Sequence, residues 1–259
     1  MLSTVSRAFE VLSLFTPDES QWGATGVARR LDLSKSSAHD LLRSLWELGM
    51  LERQPGGQYH LGLGLLALSQ QVASVQPWLG AARREMAALA HQTGEIIHLS
   101  VLHHGSLLHL EDAHPPGGGE VLGVPPPGLA SAQVPPQCSA MGKALLSALP
   151  WPQVLELIQR QGLGSLTVNS INTADELQTE LQRVRERGYA YDVEEAFPGV
   201  CCIAVPVRGA GGQVKAAMSM SVPSPRFAQL KQERRAQLLE AGYHLERVLN
   251  AEEALLMAQ

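Results

Sequence analysis

The feature that most constrains the fold is a pair of helical patterns separated by a very short turn. Residues 25–31 have the apolar spacing of one short helix, with Thr25 as its expected cap, and Asp32-Leu33 forms the connection. Ser34 is a good N-cap for a second helix, which is expected to end near Gly49. Two helices joined in this way are typical of a helix-turn-helix, whose second helix enters the major groove of DNA.

A hairpin signal follows directly. Residues 51–54 and 58–61 flank a Pro55-Gly56-Gly57 turn. Before the helix pair, the spacing of Val5, Ala8, Phe9, Leu12 and Phe15 predicts an amphipathic helix that buries these side chains. Residues 1–62 are therefore predicted to form a winged helix-turn-helix domain.

The second helix has two distinct faces. Ala38, Leu41, Leu42 and Leu45 share one side and are expected to pack on the preceding helices, whereas the opposite side is centred on Ser36, Asp40 and Arg43. Small hydroxyl side chains at a helix N-terminus suit phosphate oxygens, and Arg43 suits a guanine edge or a phosphate. The residues expected to contact double-stranded DNA are Thr25, Ser34, Lys35, Ser36, Ser37, His39, Asp40, Arg43 and Arg53.

The charge count argues against strong DNA binding by one copy. The chain has a formal net charge of -5, and residues 1–62 carry six Lys or Arg against seven Asp or Glu. Because phosphate neutralisation supplies most non-specific affinity, a single domain of this charge is expected to bind poorly. Pairing of two copies would double the contacts.

The rest of the chain has an α+β pattern. Residues 63–76 are predicted to form a linker helix, and residues 77–259 a second domain of mixed strands and helices. Strands are expected at Ile96–Leu102 and Leu107–Leu110, and a weak strand at Glu120–Val124 within a region rich in Pro and Gly. The predicted fold class is thus α+β with two domains joined by a linker helix.

Several motifs, in order, resemble the IclR family of regulators. They are Val5–Phe9, Val27–Ser37, Gly49–Arg53, Ser139–Leu146, Arg187–Glu195 and Pro198–Val207. The resemblance implies a GAF-like effector-binding domain, homodimers made through the N-terminal domains, and often homotetramers. It also implies repressors or activators of small-molecule catabolism. Asp40 departs from the family, since a basic residue is expected there, and could accept a hydrogen bond from cytosine instead.

The resemblance also implies where the effector binds. The implied contacts are Ala140, Met141, Gly142, Asp192, Cys202, Ser219 and Ser221. Two of these, Ser219 and Ser221, are two apart on a predicted strand, so their side chains face the same way. The start of the helix after Ser139 favours a carboxylate. The expected effector is a small organic or aromatic acid, and its binding is expected to shift the DNA-reading heads through Leu63–Val75.

Three alternatives remain open. Cys138 and Cys202 would suit a redox enzyme, although no base that would lower a thiol pKa is evident. The long C-terminal helix, residues 226–256, would suit an interaction module. Five histidines, namely His98, His103, His104, His109 and His114, lie within 17 positions, but no zinc spacing is recognisable. The expectation is a cytoplasmic regulator with no catalytic residues, cofactor, metal or membrane span.

Overall fold

The computed structural model describes residues 3–16, 18–117 and 134–257. The strand expected at Glu120–Val124 lies outside the described residues. The chain divides into two units, Met1–Gln76 and Pro77–Gln259. No helix in the described part of the chain is long and apolar enough to cross a membrane.

The first unit contains helices and a small antiparallel sheet. The helices are α1 (Ser3–Ser13), α2 (Ala24–Arg30), α3 (Lys35–Glu47) and α4 (Gly64–Ser74). The strands are β1 (Trp22–Gly23), β2 (Leu51–Arg53) and β3 (Gln58–Leu61), in the order β1-β3-β2. The β2–β3 hairpin is the predicted wing. Its turn is a 3-10 turn at Pro55–Gly57, where Gly56 has a φ of 80° that glycine adopts readily.

The core of this unit lies between α1, α2, α3 and the sheet. Ala38, Leu42 and Leu45 of α3 are buried, as predicted, and pack with Val27 of α2 and Leu51 of β2. Because burial of apolar side chains drives this packing, α3 is fixed with its opposite face outward.

Two expectations for the first unit are wrong. On α1, Val11 is buried and Ala8 and Leu12 pack beside it, and Phe15 is buried just after the helix, whereas Val5 and Phe9 are exposed. The apolar stripe of α1 is wider than the core that the first unit offers. Thr25 does not cap α2, because the helix begins at Ala24 and its N-cap is Gly23, which provides no side-chain hydrogen bond.

The second unit is built on a five-stranded antiparallel sheet. Its strands are β4 (Ile96–His103), β5 (Ser106–Ala113), β6 (Ala190–Val193), β7 (Val200–Arg208) and β8 (Val214–Pro223), in the order β5-β4-β8-β7-β6. The helices are α5 (Trp78–Thr93), α6 (Ala140–Leu146), α7 (Trp151–Gln161), α8 (Ala174–Arg187) and α9 (Ser224–Met257). Strand β5 is longer than the predicted Leu107–Leu110.

Helices cover both faces of this sheet. On one face, α5 and α9 pack on alternate side chains of the central strands, including Ile203, Met218 and Met220. On the other face, α6 and α8 pack on small residues such as Ala204 and Ala217. Polar side chains lie beside these small residues on the second face of the sheet. They include the predicted effector residues Asp192, Ser219 and Ser221.

Candidate functional site

The outward face of α3 begins with a cluster of hydroxyl groups. The Ser34 hydroxyl accepts a hydrogen bond from the Ser37 backbone N–H at 3.0 Å, so Ser34 is the N-cap that the sequence predicts. The Ser36 and Ser37 hydroxyls lie 2.9 and 2.8 Å from that of Ser34. All three residues are exposed, so the helix N-terminus presents donors that can reach a phosphate group.

Acidic side chains surround the arginine of this face. Arg43 lies 3.6 Å from Asp40 and 3.9 Å from Glu47, and all three side chains are more than half exposed. Ion pairs as exposed as these contribute little to stability, so Arg43 can leave them at small cost. His39 and Lys35 are exposed on the same helix.

A cleft of about 360 Å³ lies beside the N-terminus of α3. Residues from the start of α2 line one side, among them Thr25, and the wing lines the other with Gly56, Gly57 and Gln58. Lys35 contributes the cation of the cleft. Arg53 is exposed on the wing strand β2. Each DNA-contact residue predicted from the sequence is therefore exposed in the first unit.

In the second unit, neighbouring strands bring four predicted effector residues to one face of the sheet. Asp192 on β6 is paired with Cys202 on β7, and Cys202 is paired with Ser221 on β8. The Cys202 Sγ lies 3.4 Å from the Ser221 Oγ. Ser219 shares the face of Ser221, while Met218 and Met220 point into the opposite core, as the two-residue spacing predicts.

The loop before α6 is tightly packed. Ser139 caps the helix by accepting a hydrogen bond from the Gly142 N–H at 3.0 Å. A Cβ at position 142 would lie 2.0 Å from the Pro136 carbonyl oxygen, so only glycine fits there. Ala140 and Gly142 are buried, while Met141 is partly exposed. These contacts give Gly142 a packing role, and its contact with an effector stays a prediction.

A buried charge cluster lies on the same side of the sheet. The Lys143 ammonium group, 1% exposed, lies 2.5 Å from Glu195 Oε1. The Glu195 backbone N–H donates to Asp192 Oδ1 at 2.7 Å. Burial raises the pKa of Asp192 to about 7, and the nearby Glu195 carboxylate adds to the rise, although Lys143 opposes it. Asp192 therefore holds a proton for much of the time near neutral pH.

The cysteines do not have the environment of reactive thiols. Burial raises the pKa of Cys138, Cys201 and Cys202, and for Cys202 the Asp192 carboxylate raises it further. A nucleophilic or redox cysteine needs a thiolate, which a lowered pKa would provide. The redox-enzyme alternative loses its chemical basis at these three positions.

The five histidines do not form one cluster. His103 and His104 pack on each other at the β4–β5 turn, and His114 is exposed. His98 and His109 instead approach Asp112 on the face of the sheet that carries Ser221. The His98 Nε2 lies 2.9 Å from the Ser221 Oγ, which connects this group to the predicted effector residues.

The sequence pattern does not indicate a role for Lys143, Glu195 or Asp112. A lysine in a helix is usually exposed, so nothing in the pattern indicates that Lys143 is buried. Asp112 lies beyond the strand that the sequence predicts, and its approach to His98 depends on the pairing of β4 with β5.

Comparisons with known proteins agree with the two-unit division. Residues 4–55 match the model of the IclR helix-turn-helix domain, and residues 70–247 match the model described as bacterial transcriptional regulator IclR C-terminal. The HTH-type transcriptional regulator XynR of Escherichia coli is 28% identical over 251 residues, which are 96% of this chain and 98% of that protein.

Solved structures have the same fold. An IclR transcriptional regulator from Alicyclobacillus acidocaldarius superposes with a TM-score of 0.84 at 26% identity, covering 95% of this chain and 98% of that one. An IclR homologue from Microbacterium hydrocarbonoxydans, solved in complex with 4-hydroxybenzoate, superposes with a TM-score of 0.81 at 25% identity, covering 95% and 99%.

Proposed function

Because this chain belongs to the IclR family of transcriptional regulators, we propose that it binds operator DNA as a homodimer through the exposed face of α3. We propose further that a small organic or aromatic acid in the second unit changes this binding. The observation that carries the first part is the cluster of Ser34, Ser36 and Ser37 hydroxyls at the α3 N-terminus, with Arg43 exposed further along the helix. The family and the two-domain α+β fold predicted from the sequence are confirmed.

The relatives also decide against an enzyme. XynR is an HTH-type transcriptional regulator, and the matching models describe regulator domains. The expectation that the chain has no catalytic function is therefore confirmed.

Exposed apolar side chains on α4 support the dimer. None of the residues of this helix is buried. Leu68, Val72 and Val75 lie at i, i+4 and i+7 on one side of the helix axis, and Val75, the C-cap residue just after α4, is 72% exposed. On α1, Val5 and Phe9 are exposed as well. Exposed apolar area of this kind marks a protein interface. A second copy of the chain would also double the DNA contacts, which would compensate for the weak binding expected of a single domain without a net positive charge.

The effector proposal rests on three polar side chains, Asp192, Ser219 and Ser221, which share one face of the sheet in the second unit. Asp192 holds a proton near neutral pH, so it can donate a hydrogen bond to a carboxylate oxygen. Ser219 and Ser221 add hydroxyl groups on β8, which strand β7 separates from the Asp192 strand β6. The Microbacterium homologue was solved with an aromatic acid, 4-hydroxybenzoate, which agrees with this ligand class.

DNA binding is tested with the full-length protein and a labelled DNA fragment from upstream of its own gene. Fluorescence anisotropy at moderate salt should show tighter binding to this fragment than to random DNA. Arg43→Ala should weaken binding by about 1–3 kcal/mol if Arg43 contacts a base. Arg160→Ala removes an arginine of the second unit that is also more than half exposed, and it should leave the affinity for DNA unchanged. Equal affinity for both DNAs would contradict the proposal.

Effector binding is tested by thermal shift with a panel of small organic and aromatic acids. A true ligand at 100 times its Kd adds about 2.7 kcal/mol of apparent stability. Asp192→Ala, which removes the donor, and Ser221→Ala should reduce the shift, whereas Ser165→Ala, in a surface loop, should not. An acid that stabilises the protein must also change its affinity for the operator, since binding and coupling are reciprocal. An acid that stabilises the protein with no change in operator affinity would contradict the regulatory part of the proposal.

A further inference from the structure

Two histidines and one aspartate meet on the face of the sheet opposite α5. They are His98 on β4 and His109 and Asp112 on β5, and their donor atoms all lie within 4.8 Å of one another. His109 and Asp112 are three residues apart, so a regular strand would point them to opposite faces. A β-bulge changes this, because Asp112 pairs with His98, and His109 pairs with Ser100, which leaves Leu110 as the extra residue.

One carboxylate oxygen serves both rings. The Asp112 Oδ1 lies 2.5 Å from His98 Nδ1 and 2.9 Å from His109 Nε2. The His109 contact is not aligned as a hydrogen bond, and this buried nitrogen has no hydrogen-bond partner among the described residues. The three side chains are 8–13% exposed, so the cluster is mostly enclosed. A purely structural cluster would be expected to use this nitrogen.

Serine hydroxyls hold the other side of each ring. The His98 Nε2 lies 2.9 Å from Ser221 Oγ, and the His109 Nδ1 lies 3.4 Å from Ser100 Oγ. A histidine that binds a metal usually donates its second ring N–H to an oxygen, which fixes the ring orientation. Both rings here are arranged in that way, with the remaining nitrogens turned towards Asp112.

We propose that His98, His109 and Asp112 form a binding site for a divalent transition-metal ion, with Zn²⁺ as the best match. Two imidazole nitrogens and one carboxylate oxygen are ligands that zinc accepts, at bonds of about 2.0–2.2 Å. Magnesium and calcium prefer sites made wholly of oxygen. Three protein ligands leave a fourth position for water, as in zinc sites that remain open. The proposal does not depend on the proposed regulatory function.

The enclosure of Asp112 supports the same conclusion. Its side chain is only 8% exposed. A divalent cation bound by all three side chains would compensate the negative charge of a carboxylate in so enclosed a place.

The test uses full-length protein without a histidine tag, stripped with EDTA and then titrated with ZnCl₂. We expect one Zn²⁺ per chain by elemental analysis and a raised Tm. His109→Gln and Asp112→Asn should each weaken binding at least about 100-fold, and Ser100→Ala should weaken it about 10- to 100-fold. His103→Gln and His114→Gln remove neighbouring histidines and should leave the affinity unchanged.

Cobalt substitution decides the ligand set without any variant. Co²⁺ bound by nitrogen and oxygen ligands absorbs in the visible region, whereas a thiolate ligand adds a charge-transfer band in the near ultraviolet. A thiolate band would assign the ion to a cysteine and overturn the proposal. Absence of stoichiometric Zn²⁺ on the wild-type protein, or equal Zn²⁺ on wild type and His109→Gln, would mean that the three residues form only a hydrogen-bonded cluster.

Discussion

Lys143 and Glu195, separated by 52 residues in the sequence, form an ion pair in the interior of the second unit. Breaking a buried pair from one side costs more than removing both partners, because the remaining charge stays uncompensated. Lys143→Met should therefore destabilise this unit by about 3–5 kcal/mol, and Lys143→Met with Glu195→Met should recover most of that loss. Calorimetry of the full chain measures both. A double variant no more stable than Lys143→Met would contradict this interpretation.

Asp192 should make the stability of the second unit depend on pH. Its pKa rises from 3.8 to about 7 on folding, so the folded state binds more protons between these values and loses stability as pH rises towards 7. The loss from this group is up to about 1.4 kcal/mol per pH unit. Asp192→Asn should flatten the pH profile of Tm between pH 5 and 7.

Glu195 and Lys143 are the charged groups that face Asp192, so the profile must be compared within the same buffers and salt. Asp18→Asn, an exposed substitution in the first unit, serves as the control and should leave the profile of wild type unchanged. An Asp192→Asn profile as steep as that of wild type would show that this carboxyl group does not hold the proton.

Substitutions at Ser34 and Ser36 should show which serine stabilises the first unit and which one only contacts DNA. Ser34 caps α3, so Ser34→Ala should destabilise the first unit by roughly 1 kcal/mol. Ser36 does not cap a backbone N–H, and Ser36→Ala should change stability by less than about 0.5 kcal/mol while still weakening operator binding. Thermal unfolding and anisotropy on the same samples provide both readouts. Normal operator affinity in Ser36→Ala would remove this hydroxyl from the interface.

The apolar side of α4 should control oligomeric state. Leu68→Glu with Val72→Glu introduces charge on exposed positions, so the fold should persist while the dimer dissociates. Analytical ultracentrifugation should show a monomer, and operator affinity should fall with it. Gln70→Glu lies on the opposite side of the same helix and should remain dimeric. A dimeric double variant would move the interface elsewhere.

Local patterns predicted the elements that depend on local chemistry. The Ser34 cap, the positive φ of Gly49 after α3 and the buried Ala38–Leu42–Leu45 face follow from side-chain type and helical spacing, and all three are present. The exposure of Val5 and Phe9 could not be predicted, because the pattern shows which side chains are apolar but not how many of them the core of one chain can cover.

The sites that depend on strand register were out of reach. The two-residue period placed Ser219 and Ser221 on one face, but the same rule would separate His109 from Asp112. The bulge at Leu110 is a property of the β4–β5 pairing and leaves no mark in the spacing of apolar residues. The burial of Lys143 is similarly decided by Glu195 far along the chain.

The pairing of β4 with β8 has a consequence for how the protein is made. His98 contacts Ser221, which is 123 residues further along, so the central pair of the larger sheet cannot form until most of the chain has left the ribosome. The first unit is made of residues Met1–Gln76, which are synthesised first and contact one another. Since distant pairings slow folding and domains fold as units during synthesis, the DNA-reading head should be native while the second unit is still incomplete.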